Sequence, residues 1–237
     1  MTMNNPRLIA MIPARMGSKR IPKKNIRYLC DKPLIQYPID FAKESGAFES
    51  IWVNTESEEL GRICEKLGVN FYKRPAELAV DTATNRDFMY DFLKKHECDY
   101  VIMMNPTSPA LRQETVNAFI QYVKDHDFDT VMSVIQVKAE SYYLGQPINF
   151  DGKDKINSQY LDPVEEIMWA MTAWKRDTFI ALEESGKCPI FGGNLGRFPI
   201  PKDESVDLDT DEDWNIAEGV MLARQRLQVT EPRYMEL

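Results

Sequence analysis

A concentrated group of cations near the start of the chain is the first feature suited to chemistry. Six of the thirteen residues from Arg15 to Arg27, called here the basic segment, are Lys or Arg, although the 237-residue chain has a formal net charge of −8. Gly17 permits close approach of the backbone to an anion, and Ser18 adds a hydroxyl donor. Three cations of the segment are the strongest candidates for binding charge: Arg15, Lys19 and Lys24. The segment therefore predicts a polyphosphate site.

The two familiar phosphate-binding motifs are missing from the sequence, which narrows the kind of site that the basic segment forms. There is no G-x-x-x-x-G-K-[ST] and no G-x-G-x-x-G, so neither a P-loop ATPase nor an ordinary dinucleotide fold is predicted. A solvated basic loop and a Lys/Arg-rich patch for nucleic acid remain as alternatives. The acidic net charge argues against a protein whose whole surface binds nucleic acid, so a polyanion site must be local.

An acidic run, DLDTDED at residues 207–213, is the second feature of this kind. It begins like an EF-hand loop with Glu218 at the twelfth position, but Glu212 stands at the sixth position, where the sharp turn requires glycine. Calcium binding is therefore disfavoured. Thr210 and Asp213 instead fit the T-x-x-D start of a helix, whose dipole favours acidic residues in the first turn.

The two carboxylates before this helix start, Asp207 and Asp209, are candidate metal ligands. In an extended segment their spacing of two residues places both side chains on the same side. Two carboxylates suit Mg²⁺, which takes a few protein oxygens together with phosphate oxygens and water. An exposed acidic turn is the alternative. The four cysteines are widely separated and only two histidines are present, so we expect reduced thiols rather than a zinc site.

The elements that must position these residues follow a βαβα order. Short apolar runs predict strands at Leu8–Ile12, Ser50–Asn54, Val69–Tyr72, Tyr100–Met104, Thr130–Val137 and Ile167–Trp174. Helical patterns lie at Pro33–Ser45, Glu56–Leu67, Asp87–Lys95, Gln113–Lys124 and Thr210–Gln228. This order predicts a three-layer α/β fold, in which helices cover both faces of a mostly parallel, doubly wound, Rossmann-like sheet.

The βαβα order breaks after about residue 138. Residues 139–166 contain two glycines and two prolines among aromatic and charged side chains, so we expect a small lobe inserted into a single domain of residues 1–237. No apolar run approaches the roughly 18 residues of a membrane span. The first apolar stretch contains a proline and runs into the basic segment, which makes a poor signal peptide, and we expect a cytoplasmic protein.

The predicted sheet brings two polar segments to one edge. The basic segment follows the first strand, and Asn105–Pro109, with the sequence NPTSP, follows the strand at Tyr100–Met104. In open α/β sheets ligands bind beyond the carboxyl ends of the strands, where loops and helix N-termini converge. Both segments are therefore expected at a ligand site, although a proline-fixed turn is an equal interpretation of Asn105–Pro109.

Four short blocks resemble those of the acylneuraminate cytidylyltransferases, also called CMP-sialic acid synthetases. They are Ala14-Arg15-Met16-Gly17-Ser18-Lys19 with Pro22 and Lys24-Asn25, then Arg74–Ala79 with Asp81–Ala83, then Pro106–Pro109 with Leu111-Arg112, and finally Asp207–Thr210. The blocks occur in the order of that family and span nearly the whole chain. The resemblance implies transfer of CMP from CTP to a nonulosonic (sialic-type) 2-keto sugar acid, with release of pyrophosphate.

The resemblance also implies roles for individual residues. Arg15, Lys19 and Lys24 would hold the triphosphate and stabilise the leaving pyrophosphate, and Asp207 and Asp209 would hold Mg²⁺. The nucleotide would contact Ala14, Arg15, Asn25, Arg74, Ala83 and Asn85, and the acceptor would contact Asn105, Thr107 and Ser108. CTP carries close to four negative charges, which explains a local cationic site in an acidic chain. No general base is evident, and a metal-bound hydroxide or metal-bound sugar hydroxyl remains open.

Two departures from the family pattern leave the acceptor undecided. Asn105 stands where many relatives carry Gln, and Ala170–Trp174 stands where they carry N-G-A-[IV]-Y. Other nonulosonates and a phosphonate therefore stay possible, whereas a Kdo-like sugar is disfavoured because Lys19 and Asn25 follow the acylneuraminate version of the first block.

The remaining expectations concern partners and rival functions. The resemblance implies a homodimer that pairs through residues 139–166, and no nucleic-acid or membrane partner is expected. A non-catalytic polyanion-binding domain is the rival from a different class. It predicts salt-sensitive binding to nucleic acid and no requirement for Asp207 or Asp209. A sugar-1-phosphate nucleotidyltransferase is disfavoured, because its usual G-x-G-[ST]-R type of loop is missing from the chain.

Overall fold

The apolar runs of the sequence form a seven-stranded sheet in the computed structural model, which describes residues 6–227 and Met235. The strands of this sheet are β1 (Leu8–Pro13), β4 (Ser50–Thr55), β5 (Asn70–Lys73), β6 (Tyr100–Met104), β7 (Thr130–Val137), β10 (Val164–Lys175) and β11 (Leu195–Pro199). Their order across the sheet is β11-β7-β10-β6-β1-β4-β5. Only β10 is antiparallel to its neighbours, so the predicted mostly parallel sheet is confirmed.

Helices cover both faces of the sheet, as the alternation of buried side chains along β1 requires. Leu8, Ala10 and Ile12 face a cluster that includes side chains of α1 (Gln36–Ser45), α2 (Glu58–Lys66) and α4 (Gln113–Asp125). Ile9 and Met11 face the opposite cluster, which includes side chains of α3 (Asn85–Leu93) and α5 (Arg176–Glu184). A strand whose two sets of side chains are both buried reads as a continuous apolar run, which is why the sequence predicts it well.

The predicted helices all form, with shifts of a few residues at their ends. Gly46 and Gly68 follow α1 and α2 with φ of 59° and 64°, a conformation that favours glycine and ends a helix. Helix α1 begins at Gln36 rather than residue 33, because β3 (Lys32–Pro33) pairs with β2 (Tyr28–Leu29). The closing helix α6 is Asp211–Leu227, and the predicted last residue, Gln228, lies outside the described residues.

The chain leaves the sheet after β7 and returns through β10. The intervening residues contain the small hairpin of β8 (Tyr142–Tyr143) and β9 (Gln146–Pro147). Several of their apolar side chains are exposed: Tyr142, Tyr143, Leu144, Ile148, Ile156 and Tyr160. Residues 164–166, at the end of the predicted lobe, already pair with β7, because β10 extends beyond the bulge between Ile167 and Thr172. Within residues 6–227, no helix has the length and apolar character needed to cross a membrane.

Candidate functional site

Hydrogen bonds within the basic segment, from it to Glu56, and from the preceding residue to β4 fix the path of its backbone. The side-chain amide of buried Asn25 donates to the Arg15 carbonyl at 2.8 Å, and the Met16 N–H donates to a carboxylate oxygen of Glu56 at 2.9 Å. The Ala14 N–H donates to the Asn54 carbonyl at 3.0 Å, which continues the pairing of β1 with β4. The cationic side chains therefore extend from a loop whose path is set by the carboxyl ends of two strands.

Two cations of the basic segment converge on one carboxylate. Arg15 Nη1 lies 2.7 Å from Asp81 Oδ1, and Lys19 Nζ lies 2.5 Å from Asp81 Oδ2. The hydrogen bonds from Lys19 and then from Arg15 lower the pKa of Asp81 below its usual range, so this carboxylate is ionised at neutral pH. The geometry establishes that both cations can contact a single anionic group.

A third cation links the basic segment to the acidic run. Lys24 Nζ donates to the Leu208 carbonyl at 2.7 Å and lies 3.8 Å from Asp209 Oδ1. Its side chain is 13% exposed, and burial lowers its pKa while Asp209 and Asp207 oppose that shift. Arg20 Nη2 contacts the same oxygen of Asp209 at 2.8 Å. Residues nearly two hundred positions apart thus form one charged site.

Two adjoining cavities open beside these residues. The first, of about 350 Å³, is lined by Pro13, Arg15, Ser18, Lys19, Arg20, Lys24, Asn25, Asp81, Asn105, Pro106 and Thr107. The second, of about 250 Å³, is lined by Pro13, Arg15, Arg74, Leu78, Val80, Asp81, Ala83, Asn85, Phe88 and Asn105. Four residues line both cavities: Pro13, Arg15, Asp81 and Asn105. The Arg15–Asp81 ion pair therefore lies between a strongly cationic cavity and a less charged one.

Arg74 supplies a buried guanidinium to the second cavity. The residue is 4% exposed, and its Nε and Nη2 donate to the side-chain and main-chain oxygens of Asn54 at 2.6 and 2.9 Å. The guanidinium lies 4.2 Å from the centre of the Phe88 ring. Burial lowers the pKa of Arg74 to about 10, which leaves it protonated at neutral pH. Its contacts among the described residues are to neutral oxygens and a ring, so its charge is not cancelled by an ion pair.

The segment after β6 contacts β10 through Asn105. The Asn105 side-chain amide donates to the Trp169 carbonyl, and its main-chain N–H donates to the Ala170 carbonyl at 3.0 Å. The two segments that depart from the family pattern therefore lie against one another. Thr107 lines the first cavity, whereas Ser108 is buried, and its hydroxyl has no hydrogen-bond partner among the described residues.

The acidic run divides into two parts, as the sequence predicts. Asp213 Oδ2 accepts from the Thr210 N–H at 2.7 Å and from the Thr210 hydroxyl at 2.8 Å, which confirms the T-x-x-D helix start. Asp207 is an exposed residue, but the protein around its carboxyl displaces water, and this desolvation raises its pKa. The hydrogen bond with the Thr107 hydroxyl lowers the pKa, and the negative charge of Asp209 raises it. No Lys or Arg of residues 6–227 forms an ion pair with Asp207.

The donor set of this part fits Mg²⁺ bound jointly with a phosphate. Asp207 and Asp209 offer two carboxylates, but no group of three or more Asp, Glu, His or Cys residues able to hold a metal occurs among the described residues. Mg²⁺ commonly uses one or two carboxylates and completes its shell with water and substrate phosphates. The residues present therefore suit a metal that arrives with a nucleotide.

Comparison with known proteins identifies the family. A family model described as cytidylyltransferase matches residues 9–160, which include the basic segment, Arg74 and the segment after β6. The chain belongs to the cytidylyltransferase family.

Curated cytidylyltransferases and one flagellin-related protein resemble the chain over most of its length. An N-acylneuraminate cytidylyltransferase of Streptococcus agalactiae serotype III is 32% identical over 216 residues, covering 87% of this chain and 51% of that protein. The post-translational flagellin modification protein B of Campylobacter coli is 28% identical, covering 89% and 93%. The resemblance to N-acylneuraminate cytidylyltransferases is confirmed, and the chain spans about half the length of those it matches.

Solved structures confirm the cytidylyltransferase fold. A CMP:2-keto-3-deoxy-manno-octonic acid synthetase complexed with CTP superposes with a TM-score of 0.65 at 18% identity, covering 92% of this chain and 99% of that one. A 4-diphosphocytidyl-2C-methyl-D-erythritol synthase from Anaerococcus prevotii gives 0.64 at 14% identity, covering 92% and 100%. At these identities the likeness shows the fold alone.

The two cavities of this cytidylyltransferase family member are lined by most of the site residues that the sequence predicts. Arg15, Lys19, Lys24, Asn25, Asn105 and Thr107 line the first cavity, and Arg74, Ala83 and Asn85 line the second. Four predicted residues do not line either cavity: Ala14 and Ser108, which are buried, and Asp207 and Asp209. Asp209 is joined to the first cavity through its ion pairs with Arg20 and Lys24. The structure adds the ion pairs of Asp81, a residue of the second block, and of Arg20 in the basic segment, because pairs between distant segments leave no local signal in the sequence.

Proposed function

We propose that the protein transfers CMP from CTP to an acidic acceptor. The observation that carries this proposal is the convergence of Arg15 and Lys19 on one carboxylate at a cavity that Lys24 and Arg20 also line. A phosphate can take the place of the Asp81 carboxylate between the same two cations. Membership of the cytidylyltransferase family supports CTP as the source of that phosphate.

The proposed reaction is an in-line displacement at the α-phosphorus of CTP. An acceptor hydroxyl oxygen forms a bond to the α-phosphorus, the bond to the β-phosphate bridging oxygen breaks, and pyrophosphate leaves with that electron pair. Arg15, Lys19 and Lys24 bind the phosphates and stabilise the charge that develops on the leaving group. The acceptor hydroxyl also loses its proton during this step, and that proton passes to solvent or to the released pyrophosphate. Asp207 and Asp209 would hold Mg²⁺, which neutralises phosphate charge when bound.

The second cavity is the proposed place of the nucleoside. Arg74 offers a charged donor that forms no ion pair with a carboxylate of residues 6–227, and Ala83 and Asn85 line the same cavity. Cytosine presents a carbonyl oxygen and a ring nitrogen that accept hydrogen bonds, so a fixed guanidinium can contribute to its recognition. The Arg15–Asp81 pair then lies at the boundary between base and phosphates.

We propose a nonulosonic acid as the acceptor class. Support comes from the N-acylneuraminate cytidylyltransferases among the relatives, and the acceptor would lie near Asn105 and Thr107, where the segment after β6 meets β10. We also propose a cytoplasmic location, because the reaction consumes CTP. Kdo-like sugars and phosphonates are the alternative acceptors.

The decisive experiment measures pyrophosphate release with each of the four ribonucleoside triphosphates, Mg²⁺ and a panel of acids. The panel contains several nonulosonic acids, Kdo and a phosphonate. We expect turnover with CTP and a nonulosonic acid, and rates at least about 100-fold lower with the other three nucleotides, since a base-reading site rejects partners that leave its buried polar groups unpaired. No turnover of CTP with any acid would contradict the proposed activity. Salt-sensitive binding of nucleic acid would then favour the alternative function, a non-catalytic polyanion-binding domain.

We further propose that two copies pair through the lobe after β7. Its exposed apolar side chains include Tyr142, Tyr143 and Leu144, of which Leu144 is 86% exposed. Exposed apolar groups concentrated in one segment are typical of a protein interface. Light scattering on the purified chain should give about twice the 27.4 kDa mass of one copy. A single-copy mass at the concentration used for turnover would exclude the dimer as a requirement for activity.

A further inference from the structure

Glu204 is a fully buried carboxylate three residues before Asp207, and the proposed reaction gives it no role. The residue is 0% exposed and its side chain accepts three hydrogen bonds. The donors are the Arg112 N–H at 2.9 Å, Arg112 Nη1 at 2.7 Å and the Thr115 hydroxyl at 3.0 Å. Burying a charge is costly unless it is paired and hydrogen-bonded, so this arrangement is specific to the carboxylate.

The carboxylate of Glu204 caps a helix that belongs to another part of the chain. Arg112 is the residue before α4, and its own side chain does not cap that helix. The main-chain N–H of Arg112 and the hydroxyl of Thr115 in the first turn point instead at Glu204. A negative charge is favourable there because the first N–H groups of a helix lack partners and the helix dipole is positive at that end.

Neighbouring contacts fix the turn that carries Glu204 (Lys202–Glu204). Asp203 accepts from Arg112 and from Arg224 of α6, whose Nη2 lies 3.0 Å from Asp203 Oδ2. Arg224 also donates to the Ala110 carbonyl, which lies between Pro109 and Arg112. The turn is therefore joined both to the segment after β6 and to the closing helix.

A second anchor lies four residues further along. The Leu208 N–H donates to the Thr107 carbonyl at 2.9 Å, and the Leu208 carbonyl accepts from Lys24. The Leu208 side chain is fully buried in a cluster with Ile21 of the basic segment and Trp214 of α6. Asp207 lies between the two anchors, Glu204 on one side and Leu208 on the other.

We propose that Glu204 is a positioning residue for phosphoryl transfer, because it holds residues 204–208 so that Asp207 is presented beside Thr107. This inference rests on the proposed function. The Leu208 anchor fixes the main chain beside Thr107 on the C-terminal side of Asp207. On the N-terminal side the turn of Lys202–Glu204 fixes it, since Glu204 joins the turn to the start of α4 and Asp203 pairs with Arg112 and Arg224. Small displacements of the groups that position phosphates lower the reaction rate by large factors.

The charge of Glu204, rather than its shape, is what the proposal requires. Glu204→Gln keeps the volume, but an amide replaces one acceptor oxygen with a donor that faces N–H and O–H groups. The anchor at α4 is then weakened, while the basic segment keeps its internal bond from Asn25 to Arg15 and its bond to Glu56. We expect kcat/KM for CTP with Mg²⁺ to fall about 10-fold, because the positioning of the acidic run is lost, whereas binding of metal-free CTP by the basic segment is kept.

The experiment compares Glu204→Gln with Glu183→Gln in the whole chain. Glu183 also accepts two hydrogen bonds from one arginine, Arg86, at 2.5 and 3.0 Å, but this pair joins α3 to α5 and includes none of the residues that anchor the acidic run. Each variant is tested for thermal unfolding, turnover and affinity for CTP by calorimetry, with and without Mg²⁺. The gain in CTP affinity that Mg²⁺ produces is the readout that a purely structural role would not change.

We expect Glu204→Gln to lose most of the gain in CTP affinity that Mg²⁺ produces, while its affinity for metal-free CTP stays within about 3-fold of wild type. Glu183→Gln should keep the wild-type value of both quantities. A Glu204→Gln variant that unfolds earlier but keeps wild-type kcat/KM and the full gain would overturn the proposal. Thr115→Val removes only one of the three hydrogen bonds to Glu204 and replaces Glu204→Gln in the experiment if that variant does not fold. An unchanged Mg²⁺-dependent gain in CTP affinity in Thr115→Val would count against the proposal. Absence of CTP binding in the wild-type chain would instead contradict the proposed function itself.

Discussion

Arg15→Ala should lower kcat/KM for CTP by about 100- to 1,000-fold, since removal of one fixed group that stabilises transition-state charge has effects of this size. Arg15 lines both cavities and contacts Asp81 from a backbone that Asn25 and the pairing of β1 with β4 hold in place. Loss of its guanidinium removes one of the two cations that converge on a single anion. Pyrophosphate release measured over a range of CTP concentrations gives both kcat and KM.

Arg27→Ala is the matched control for this prediction. Arg27 belongs to the same basic segment, its side chain is 41% exposed against 38% for Arg15, and it also pairs with one carboxylate, that of Asp211. Its guanidinium lies over the Trp214 ring at 4.2 Å, and Arg27 is not among the residues that line the two cavities. We expect less than about a 3-fold change in kcat/KM, because an exposed ion pair contributes little. Equal losses in both variants would show that only the total charge of the segment matters.

The sheet is largely predictable from the sequence because its strands are covered on both faces. Tyr100–Met104 and Thr130–Val137 have the same bounds in the sequence prediction and in the structure. Such strands are continuous apolar runs that compete poorly with any other structure. The site edge follows from them, since parallel strands place the loops after β1 and β6 on the same side.

The elements that the sequence does not predict lack this signal. Strand β11 pairs with β7 over its whole length, but it contains Gly196 and Pro199, and its two less exposed positions are Gly196 and Phe198. Because glycine has no side chain, the strand shows no apolar alternation in the sequence. Helix α5 has nine residues, and Phe179 is its one buried side chain. Both elements form because the sheet offers a partner strand and an apolar face, so tertiary contacts decide them rather than local preference.

The contacts that complete the site are equally invisible in the sequence. Arg20 and Asp209 are 189 positions apart, and Glu204 and Arg112 are 92 apart. Arg20 is one of six cations in the basic segment, and nothing in its local sequence distinguishes it from Lys23. Composition and spacing identify which residue types are concentrated, but only the fold determines which charge faces which.

Asp209→Asn should lower kcat by about 100-fold or more if Asp209 holds Mg²⁺ at the phosphates as proposed, since a metal ion there would contribute several kcal/mol to transition-state stabilisation. Asp211→Asn is the control, since Asp211 lies two residues away, is 71% exposed and pairs with Arg27 outside the cavities. We expect that control to keep kcat within about 3-fold, as an exposed ion pair contributes little. Pyrophosphate release is measured against Mg²⁺ concentration for both variants, and folding is checked by thermal unfolding.

A second measurement on Asp209→Asn separates the metal role from simple charge pairing. Asp209 Oδ1 also lies 2.8 Å from Arg20 and 3.8 Å from Lys24, so its removal frees two cations in the first cavity. If pairing with these cations were its whole role, Asp209→Asn would bind metal-free CTP more tightly and would keep turnover at saturating Mg²⁺. If Asp209 holds the metal, metal-free CTP still binds more tightly, but Mg²⁺ adds nothing to affinity and turnover stays lost. The metal proposal therefore fails if Asp209→Asn reaches wild-type kcat at any Mg²⁺ concentration.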